Sequence, residues 1–392
     1  MKRLGAVLKK DHFKPVIFLL VLSLLAAFCA CGGKDAGAET TAGGEETTME
    51  QQTEPVTEKL PEPAAIEPAD GAVISLLNEQ MTEWVKDYKR SQLDGICDFT
   101  EKCEPVPVRF YWGDGADYTN LLISEKPDMS DPDVYLCTGD GIAIEDLLPG
   151  TTYYWQTVSG ANGEKERSEI HTFETLQSPR TVHIPGVSNV RDLGGKTTTD
   201  GKRVKYGLVF RGADFAHLTD EGVKKAVDIL GIKTELDLRS SVKNGKSPLG
   251  DNVKYVSVTA PYYTGVSSAD GKTALAEELR VFADPDNLPV YFHCSLGRDR
   301  TGTLAFVLLA LLGVEEDQVY MDYEVSFFSD MGGYDDKTAP SFMVQQLDSL
   351  KSIVSPGKKK PLYDKARAYL QKLGLTDAEL DAIRANLLEE IS

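Results

Sequence analysis

The residues best suited to chemistry lie in one stretch, 290–302, which reads Val-Tyr-Phe-His-Cys-Ser-Leu-Gly-Arg-Asp-Arg-Thr-Gly. Its first residues predict a short apolar strand that runs into Cys294, and the apolar run from Thr301 predicts a buried helix. A loop between strand and helix can aim backbone N–H groups at one point, where the helix N-terminus adds positive potential. The stretch therefore predicts an anion site with a cysteine beside it.

The polar residues of this loop each suit a part in such a site. Cys294 is expected to be ionised near neutral pH, because a thiolate in this field has a pKa well below the free value of ~8.5. Arg300 offers the planar fork that grips two phosphate oxygens, and the Thr301 hydroxyl is placed to hydrogen-bond the thiolate. Gly297 can take backbone angles that a side chain would resist. The other predicted substrate contacts are Ser295, Leu296 and Arg298.

The pattern of His-Cys, five residues and Arg-Thr resembles the signature loop of the cysteine-dependent protein tyrosine phosphatases. In detail, residues 297–302 are similar to the Gly-Lys-Asp-Arg-Thr-Gly of a bacterial branch of secreted, lipid-active dual-specificity phosphatases, with Arg298 in place of the usual lysine. Residues 187–195, 207–214 and 237–240 also resemble that branch. The resemblance implies an α/β phosphatase domain, no cofactor, and hydrolysis of phosphomonoesters through a phosphocysteine on Cys294.

A second group must protonate the leaving oxygen in this reaction, and the sequence leaves its identity open. The resemblance implicates Asp299, for which the alternative is a structural ion pair with Arg298 or Arg300. Other tyrosine phosphatases use an aspartate upstream of the cysteine, and strand ends in such sheets often carry site residues. As an aspartate upstream of the cysteine, Asp270 is a further candidate. As residues at strand ends, Asp237 and Asp214 are two more.

Two more arginines are candidates for contacts to the anion. Arg191 and Arg239 both lie in the stretches that resemble the phosphatase branch. Buried arginines are generally paired, so each could instead bind a neighbouring carboxylate, Asp192 or Asp237.

The overall composition limits the classes of protein to which this chain can belong. Its 392 residues leave room for two or three domains, and the net charge of −19 argues against nucleic acid as a partner. Six cysteines are too few for a disulfide scaffold, and the five scattered histidines do not predict a metal site. For His293 we expect a packing or loop-orienting role beside Cys294.

Residues 1–31 predict an export signal, with basic residues before an apolar run that ends at Cys29-Ala30-Cys31. This end resembles a bacterial lipoprotein signal, in which the first mature cysteine receives lipid, and Cys31 fits better than Cys29. The alternatives are a simple cleaved signal or an uncleaved anchor. Residues 32–64 hold eight acidic and two basic residues with almost no large apolar side chain, which predicts a disordered tether. We therefore expect a protein held at the outer face of a bacterial membrane.

Residues 65–178 show short strand patterns bounded by turns, which predict an all-β sandwich. Residues 147–153 resemble the loop before a late strand in fibronectin type III-like domains, where Tyr153 would cap the corner and Trp155 would pack inside. Val73–Ser91 has helical spacing, and we interpret it as a helical insertion. Its apolar face is expected to pack in the domain core, and the alternative is that it binds a groove of a partner. The Cys97 and Cys103 spacing allows a disulfide or two free thiols, and Cys137 is expected in the core.

Residues 179–392 alternate strand and helix patterns, which predicts a mostly parallel sheet covered by helices. The fold class expected is thus multidomain, a fibronectin III-like β-sandwich followed by an α/β cysteine-phosphatase domain. The leading function is a membrane-tethered phosphatase for phosphotyrosine, with phosphoserine, phosphothreonine or phosphoinositides as further substrates. The alternative is a surface binding protein or pseudophosphatase that recognises phosphorylated ligands without turnover.

Overall fold

The structure of the protein, a computed structural model, describes residues 66–391 apart from 94–95, 97, 99, 114–118, 138, 140, 162–163, 240–244, 333–339 and 357–360. The predicted export signal, the tether, Cys31 and Cys97 lie outside the described residues. Among the helices that are described, none is both long and apolar enough to span a bilayer.

The first part of the described chain is mainly strand. The elements are, in order, β1 (Ala72–Ile74), α1 (Glu79–Lys86), β2 (Val108–Tyr111), β3 (Thr119–Ser124), β4 (Asp133–Cys137), β5 (Gly141–Ile144), β6 (Thr152–Ala161), β7 (Glu164–Arg167) and β8 (His171–Thr175). The strand patterns of residues 106–112, 119–124, 133–138, 152–159 and 169–174 predict β2, β3, β4, β6 and β8, but not the other three strands. The helix expected from Val73 begins only at Glu79, because Asn78 accepts a hydrogen bond from the backbone of Met81 and caps it.

These strands form two sheets that share one hydrophobic core. The larger sheet has the order β1-β8-β6-β3-β4, with β7 paired to β6, and β2 pairs with β5 in the smaller one. Phe110 from the small sheet packs edge-on against Trp155 and Phe173 from the large one. Trp155 is buried as predicted, and the Tyr153 hydroxyl accepts a hydrogen bond of 2.7 Å from the backbone of Leu148. The likeness of this part to fibronectin type III domains stays a prediction.

The second part of the described chain is an α/β domain. Its elements are, in order, β9 (Arg180–Thr181), β10 (Arg191–Asp192), β11 (Lys202–Val204), β12 (Val209–Gly212), α2 (Asp220–Lys224), β13 (Thr234–Asp237), β14 (Lys254–Ser257), α3 (Ala269–Ala283), β15 (Val290–His293), α4 (Asp299–Leu312), α5 (Glu316–Glu324), α6 (Pro340–Val354), α7 (Leu362–Lys372), α8 (Asp377–Leu387) and β16 (Leu388–Glu390).

The main sheet of this domain is mostly parallel, as predicted. Its order is β14-β13-β15-β12-β10-β9, in which β12, β13, β14 and β15 run parallel, and β10 and β9, at one end of the sheet, pair antiparallel. The apolar helix α4 is buried along nearly its whole length against α3, α5, α7 and α8. This sheet and helix together hold the end of β15 and the start of α4 in fixed positions.

Several helix ends follow the signals in the sequence. Thr219 caps α2. The sequence Thr376-Asp377-Ala378-Glu379 resembles a capping box, and Thr376 with Glu379 forms one at the start of α8. The sequence pattern predicts a helix over residues 376–391, but α8 ends at Leu387, where the chain turns into β16 and pairs with β11. Helix α3 was not predicted.

Candidate active site

Cys294 stands directly after β15, the strand between β12 and β13, and α4 begins five residues later at Asp299. The thiol is 4% exposed and is a free cysteine. Residues 295–298 form the connecting loop, which we call the phosphate loop. The predicted junction of strand, cysteine loop and helix is therefore present.

The carbonyl oxygens of the phosphate loop are bound to the protein behind it. The Ser295 carbonyl accepts a hydrogen bond from the backbone of Asp214 at 3.2 Å. The Leu296 carbonyl accepts from Asn189 Nδ2 at 2.9 Å, and the Gly297 carbonyl accepts from Arg211 at 2.7 Å. In a trans peptide the N–H group points away from the carbonyl oxygen. The N–H groups of residues 296, 297 and 298 therefore point to the opposite side, where an anion would lie.

Gly297 is required by this arrangement for two reasons. Its φ of +69° is in the left-handed region, which side chains disfavour. A Cβ atom at this position would also lie 2.3 Å from the backbone carbon and oxygen of Gly212. The loop thus packs directly on the end of β12.

A buried cluster of charges supports the loop from behind. The carboxylate of Asp322 in α5 accepts from Arg211 at 2.6 Å and pairs with Arg191 at 3.3 Å and Lys196 at 3.6 Å. Burial acts to raise the pKa of Asp322, but the three cations together hold that pKa well below its usual range. Burial, with the charge of Arg191, lowers the pKa of Arg211 to about 10, so its guanidinium stays charged at neutral pH. The Arg211 guanidinium also interacts electrostatically with Cys294, so its positive charge favours an anion there.

This cluster corrects one expectation from the sequence. Arg191 was a candidate for contact with the anion, but its guanidinium is fully buried and binds Asp322, Asn189 and Ser326. Arg191 therefore holds Asn189 and α5 in place behind the loop. The pairing partner is not Asp192, which instead binds Arg180.

Arg300 and Thr301, in the first turn of α4, flank the loop on the helix side. The guanidinium of Arg300 is partly exposed and donates to the carbonyl of Leu238 at 3.3 Å. The Thr301 hydroxyl is buried, and across the described ranges it has no hydrogen-bond partner. The bond expected between that hydroxyl and the Cys294 thiolate is therefore not present in this structure.

Arg298 does not present its side chain to a ligand as expected. Its guanidinium is fully buried and donates to Asp299 at 3.1 Å and to the carbonyl of Gly332. The side chain therefore ties the loop to the turn after α5. Ser295 is exposed and Leu296 is partly exposed, so both lie where a substrate could reach them.

The carboxylate of Asp299 lies in a hydrogen-bonded chain. Tyr323 contacts the hydroxyl of Tyr263, which in turn donates to Asp299. Burial raises the pKa of both tyrosines well above the ordinary value, so both hydroxyls keep their protons. The carboxylate of Asp299 also forms an ion pair with the guanidinium of Arg298, which is the structural alternative that the sequence left open. Its side chain is 12% exposed, and a role in proton transfer stays a prediction.

The other candidate acids are placed differently. Arg239 binds Asp237 through two nitrogens and also bridges to Asp214 at 2.8 Å. Burial alone would raise the pKa of Asp237, but the bonds from Arg239 bring that pKa below its ordinary value. Asp237 is thus held ionised, which is unfavourable for an acid. Asp270 is exposed in the first turn of α3.

His293 has a partner that the sequence did not reveal. Its Nε2 lies 2.9 Å from the buried carboxylate of Glu235 in β13, and its Nδ1 lies 3.1 Å from the Cys294 carbonyl. Glu235, Asp237 and His293 bring possible metal-ligand atoms within 4.8 Å of one another. His293 and Glu235 bind each other, however, and Asp237 binds Arg239 and Tyr255. These contacts agree with the loop-orienting role expected for His293.

Several residues of the site were missed in the sequence. Four of them lie in stretches that resemble the phosphatase branch or have a helical pattern, but neither their residue types nor their spacing predicted a function for them: Asn189, Arg211, Asp322 and Tyr323. Glu235 and Tyr263 lie on elements whose neighbours are set only by folding. No local signal in the sequence could have joined them to Cys294.

Comparison with known proteins agrees with this site. A predicted tyrosine-protein phosphatase of Cupriavidus necator is 29% identical over 178 residues, which are 38% of this chain and 64% of that protein. A tyrosine-protein phosphatase of Nostoc commune is 28% identical over 140 residues, 30% of this chain and 47% of that protein. The chain therefore spans less than two thirds of the length of either relative.

Among solved structures, the chain is similar to the core catalytic domain of the PP-IP phosphatase Siw14 from S. cerevisiae. The TM-score is 0.25 and the identity 17%, over 35% of this chain and 78% of that domain. A family model described as the tyrosine phosphatase family matches residues 182–389, which include the phosphate loop and every strand of the main sheet except β9. Since that match covers more than half of the 392 residues, this chain belongs to the tyrosine phosphatase family.

Proposed function

We propose that this chain is a cysteine-dependent phosphatase that hydrolyses phosphomonoesters through a phosphocysteine intermediate. The observation that carries the proposal is the phosphate loop itself. The carbonyls of Ser295, Leu296 and Gly297 are bound from behind by Asp214, Asn189 and Arg211, so the N–H groups that follow them converge beside Cys294. Such a preorganised set of donors stabilises the charge of a phosphoryl group during transfer.

The reaction has two steps. In the first, the Cys294 sulfur forms a bond to phosphorus, the bond from phosphorus to the ester oxygen breaks, and the leaving oxygen takes a proton. In the second, water gives a proton to a base and its oxygen attacks phosphorus, which breaks the S–P bond and releases phosphate. Arg300 would bind two oxygens of the phosphoryl group in both steps.

We propose Asp299 as the group that gives the first proton and accepts the second. It lies in the first turn of α4, five residues after the nucleophile, and the hydroxyl of Tyr263 holds its carboxylate. Asp237 is the weaker candidate because Arg239 keeps it ionised.

The substrate class follows from the names of the relatives and from the chemistry of the loop. Both relatives are named as tyrosine-protein phosphatases, so we propose phosphotyrosine as the first substrate. Phosphoserine, phosphothreonine and phosphoinositide monoesters present the same terminal phosphate group. A panel of these esters compared by kcat/KM ranks them, because specificity is the ratio of those values.

We further propose that the enzyme is exported and anchored by lipid on Cys31. The support is the sequence alone: a basic and apolar leader, a small residue before Cys31, and an acidic tether after it. Mass spectrometry of the mature N-terminus tests this proposal. We expect a diacylated cysteine, and an unmodified Cys31 would contradict it.

The test of the enzymatic proposal is turnover of para-nitrophenyl phosphate by the reduced protein. We expect turnover by the wild type, loss of turnover in Cys294→Ser, and dependence on reductant, since an exported thiolate can oxidise. Circular dichroism would show that the variant is folded. If the reduced, folded wild type gave no turnover but bound phosphorylated ligands, the chain would be a binding protein instead.

A further inference from the structure

The described residues of the segment 77–103, which are all but 94–95, 97 and 99, precede the region matched by the family, yet they contribute to the core of the α/β domain. Leu77, Met81, Leu93 and Ile96 belong to the same hydrophobic cluster as Phe328 and the buried face of α4. Leu76, one residue earlier, belongs to the core of the strand-rich part. The helical segment that the sequence assigned to the strand-rich part therefore packs on the phosphatase domain.

Polar contacts fix this segment, which we call the docking segment, to α5 and the turn that follows it. Lys102 donates from its backbone to the carbonyl of Phe328 at 2.7 Å. The Cys103 thiol donates to the carbonyl of Val325 at 3.3 Å. Cys103 is thus a buried free thiol and is not in the disulfide that its spacing had left open. The ring of Trp84 packs against that of Phe328 with centroids 5.0 Å apart and the planes tilted by 57°.

The docking segment sends one carboxylate toward the phosphate loop. Glu101 Oε2 accepts from the backbone N–H of Asn189 at 3.3 Å and from the Ser329 hydroxyl. Its other oxygen accepts from the backbone of Cys103 at 2.9 Å, which orients the carboxylate. Burial raises the pKa of Glu101 to about 7, and Asp330 lies beside it.

Asn189 is the first route from Glu101 to the loop. Its backbone has φ of +59°, and its side-chain nitrogen donates to the carbonyl of Leu296 at 2.9 Å. The Glu101 carboxylate and the Arg191 guanidinium bind Asn189 from two sides. The angle of the Leu296 peptide, and so of the N–H of Gly297, depends on where Asn189 stands.

Ser329 begins a second route. The backbone N–H of Gly332 donates to the carbonyl of Ser329 at 2.9 Å, which closes a turn. The carbonyl of Gly332 in that turn accepts from the guanidinium of Arg298, a member of the phosphate loop. Glu101 therefore contacts Asn189, which binds the loop at Leu296, and Ser329, whose turn binds the loop at Arg298 through Gly332.

We propose that Glu101 is a positioning residue of the phosphatase: through Asn189 and Ser329 it holds the phosphate loop in the form that binds an oxyanion. The docking segment is then part of the catalytic domain and not a separate module. This inference rests on the proposed function, since it concerns the same loop. Glu101 touches neither substrate nor Cys294 and acts only through its two partners.

The experiment compares Glu101→Ala and Glu101→Gln with the wild type of the full chain. Glu101→Ala leaves the Asn189 N–H without this acceptor and leaves the Ser329 hydroxyl with Asp330 Oδ1, at 3.2 Å, in place of Glu101. We expect kcat/KM for para-nitrophenyl phosphate to fall about 10-fold and the Ki for vanadate to rise by a similar factor. Glutamine keeps one acceptor oxygen, so Glu101→Gln should recover part of both losses. Glu83→Ala, an exposed acid of the same segment, is the matched control and should change neither.

The vanadate constant separates positioning from a merely structural role. A variant that is only less stable unfolds at a lower Tm, but its folded molecules keep the wild-type Ki for vanadate. Unchanged kcat/KM and Ki in Glu101→Ala, with an active wild type, would overturn this inference and leave the proposed function intact. An inactive wild type, or activity retained in Cys294→Ser, would instead reject the proposed function.

Discussion

The guanidinium of Arg211 donates a hydrogen bond of 2.7 Å to the carbonyl of Gly297. Through its other terminal nitrogen it binds the carboxylate of Asp322, on a helix that follows the loop in sequence. One side chain thus connects β12, the phosphate loop and α5. The geometry of the anion site depends on this contact as much as on the residues of the loop.

Arg211→Lys tests this contact. Lysine keeps the positive charge but has one nitrogen, so it cannot bind the Gly297 carbonyl and Asp322 as the planar guanidinium does. A hydrogen bond to a charged group contributes about 1.5–3 kcal/mol, so we expect kcat/KM to fall roughly 10- to 100-fold. Steady-state kinetics measure this. Arg203→Lys, whose guanidinium pairs with Glu389 on the β11–β16 ribbon, is the control and should keep wild-type kinetics.

Gly297→Ala tests the close packing of the loop on β12. The control is Gly201→Ala, because Gly201 also has a left-handed φ, +79°, but a Cβ atom there meets nothing within 4 Å. Both changes introduce backbone strain of about 1–2 kcal/mol. Only Gly297→Ala also forces the loop away from Gly212, so we expect only this variant to lose vanadate binding and most of its activity. Equal kinetics in the two variants would show that the contact with β12 is unimportant.

Asp299→Asn tests the assignment of the general acid. Proton transfer by a positioned side chain contributes about 10²- to 10⁴-fold, and we expect kcat to fall within that range. The basic limb of the pH–rate profile should disappear in this variant and persist in Asp270→Asn, Asp237→Asn and Asp214→Asn. If the basic limb is unchanged in Asp299→Asn and lost in another variant, the acid is that other residue.

Glu324→Gln tests how pH affects the docking segment. Glu324 accepts a hydrogen bond from the backbone of Ser91, and burial raises its pKa from 4.5 to about 7. The folded state then holds a proton between these pH values that the unfolded state has lost. The stability from this group is therefore complete below about pH 4.5 and falls by on the order of 3 kcal/mol as pH rises through 7.

Thermal unfolding at pH 5 and pH 8 measures this effect. We expect the Tm of the wild type to fall more between pH 5 and pH 8 than the Tm of Glu324→Gln does, because glutamine does not titrate. Glu101 also has a raised pKa, so the Tm of the variant should still fall somewhat between the two pH values. Glu79→Gln, an exposed acid of α1, should follow the wild type, and equal slopes in all three proteins would contradict the prediction.

The sequence by itself determined the centre of the site. The loop chemistry of residues 290–302 depends on neighbours along the chain, since a strand, a glycine with freedom of φ and a helix start are local properties. Hydrophobic periodicity likewise predicted the parallel sheet and most of its helices. It missed α3, although Ser268 caps the start of that helix, and it extended α8 into residues that pair as β16.

The partners of the loop were decided only by the tertiary structure. Four residues bind the loop or the residues that flank it from positions 36 to 107 residues away along the chain, so no spacing in the sequence connects them to it: Arg211, Asn189, Glu235 and Tyr263. For the same reason Arg191 and Arg298, which resembled ligand contacts, turned out to be buried in pairs. The docking segment is the largest such case: its helical pattern showed that one face would be buried, but only folding chose the phosphatase domain as its neighbour.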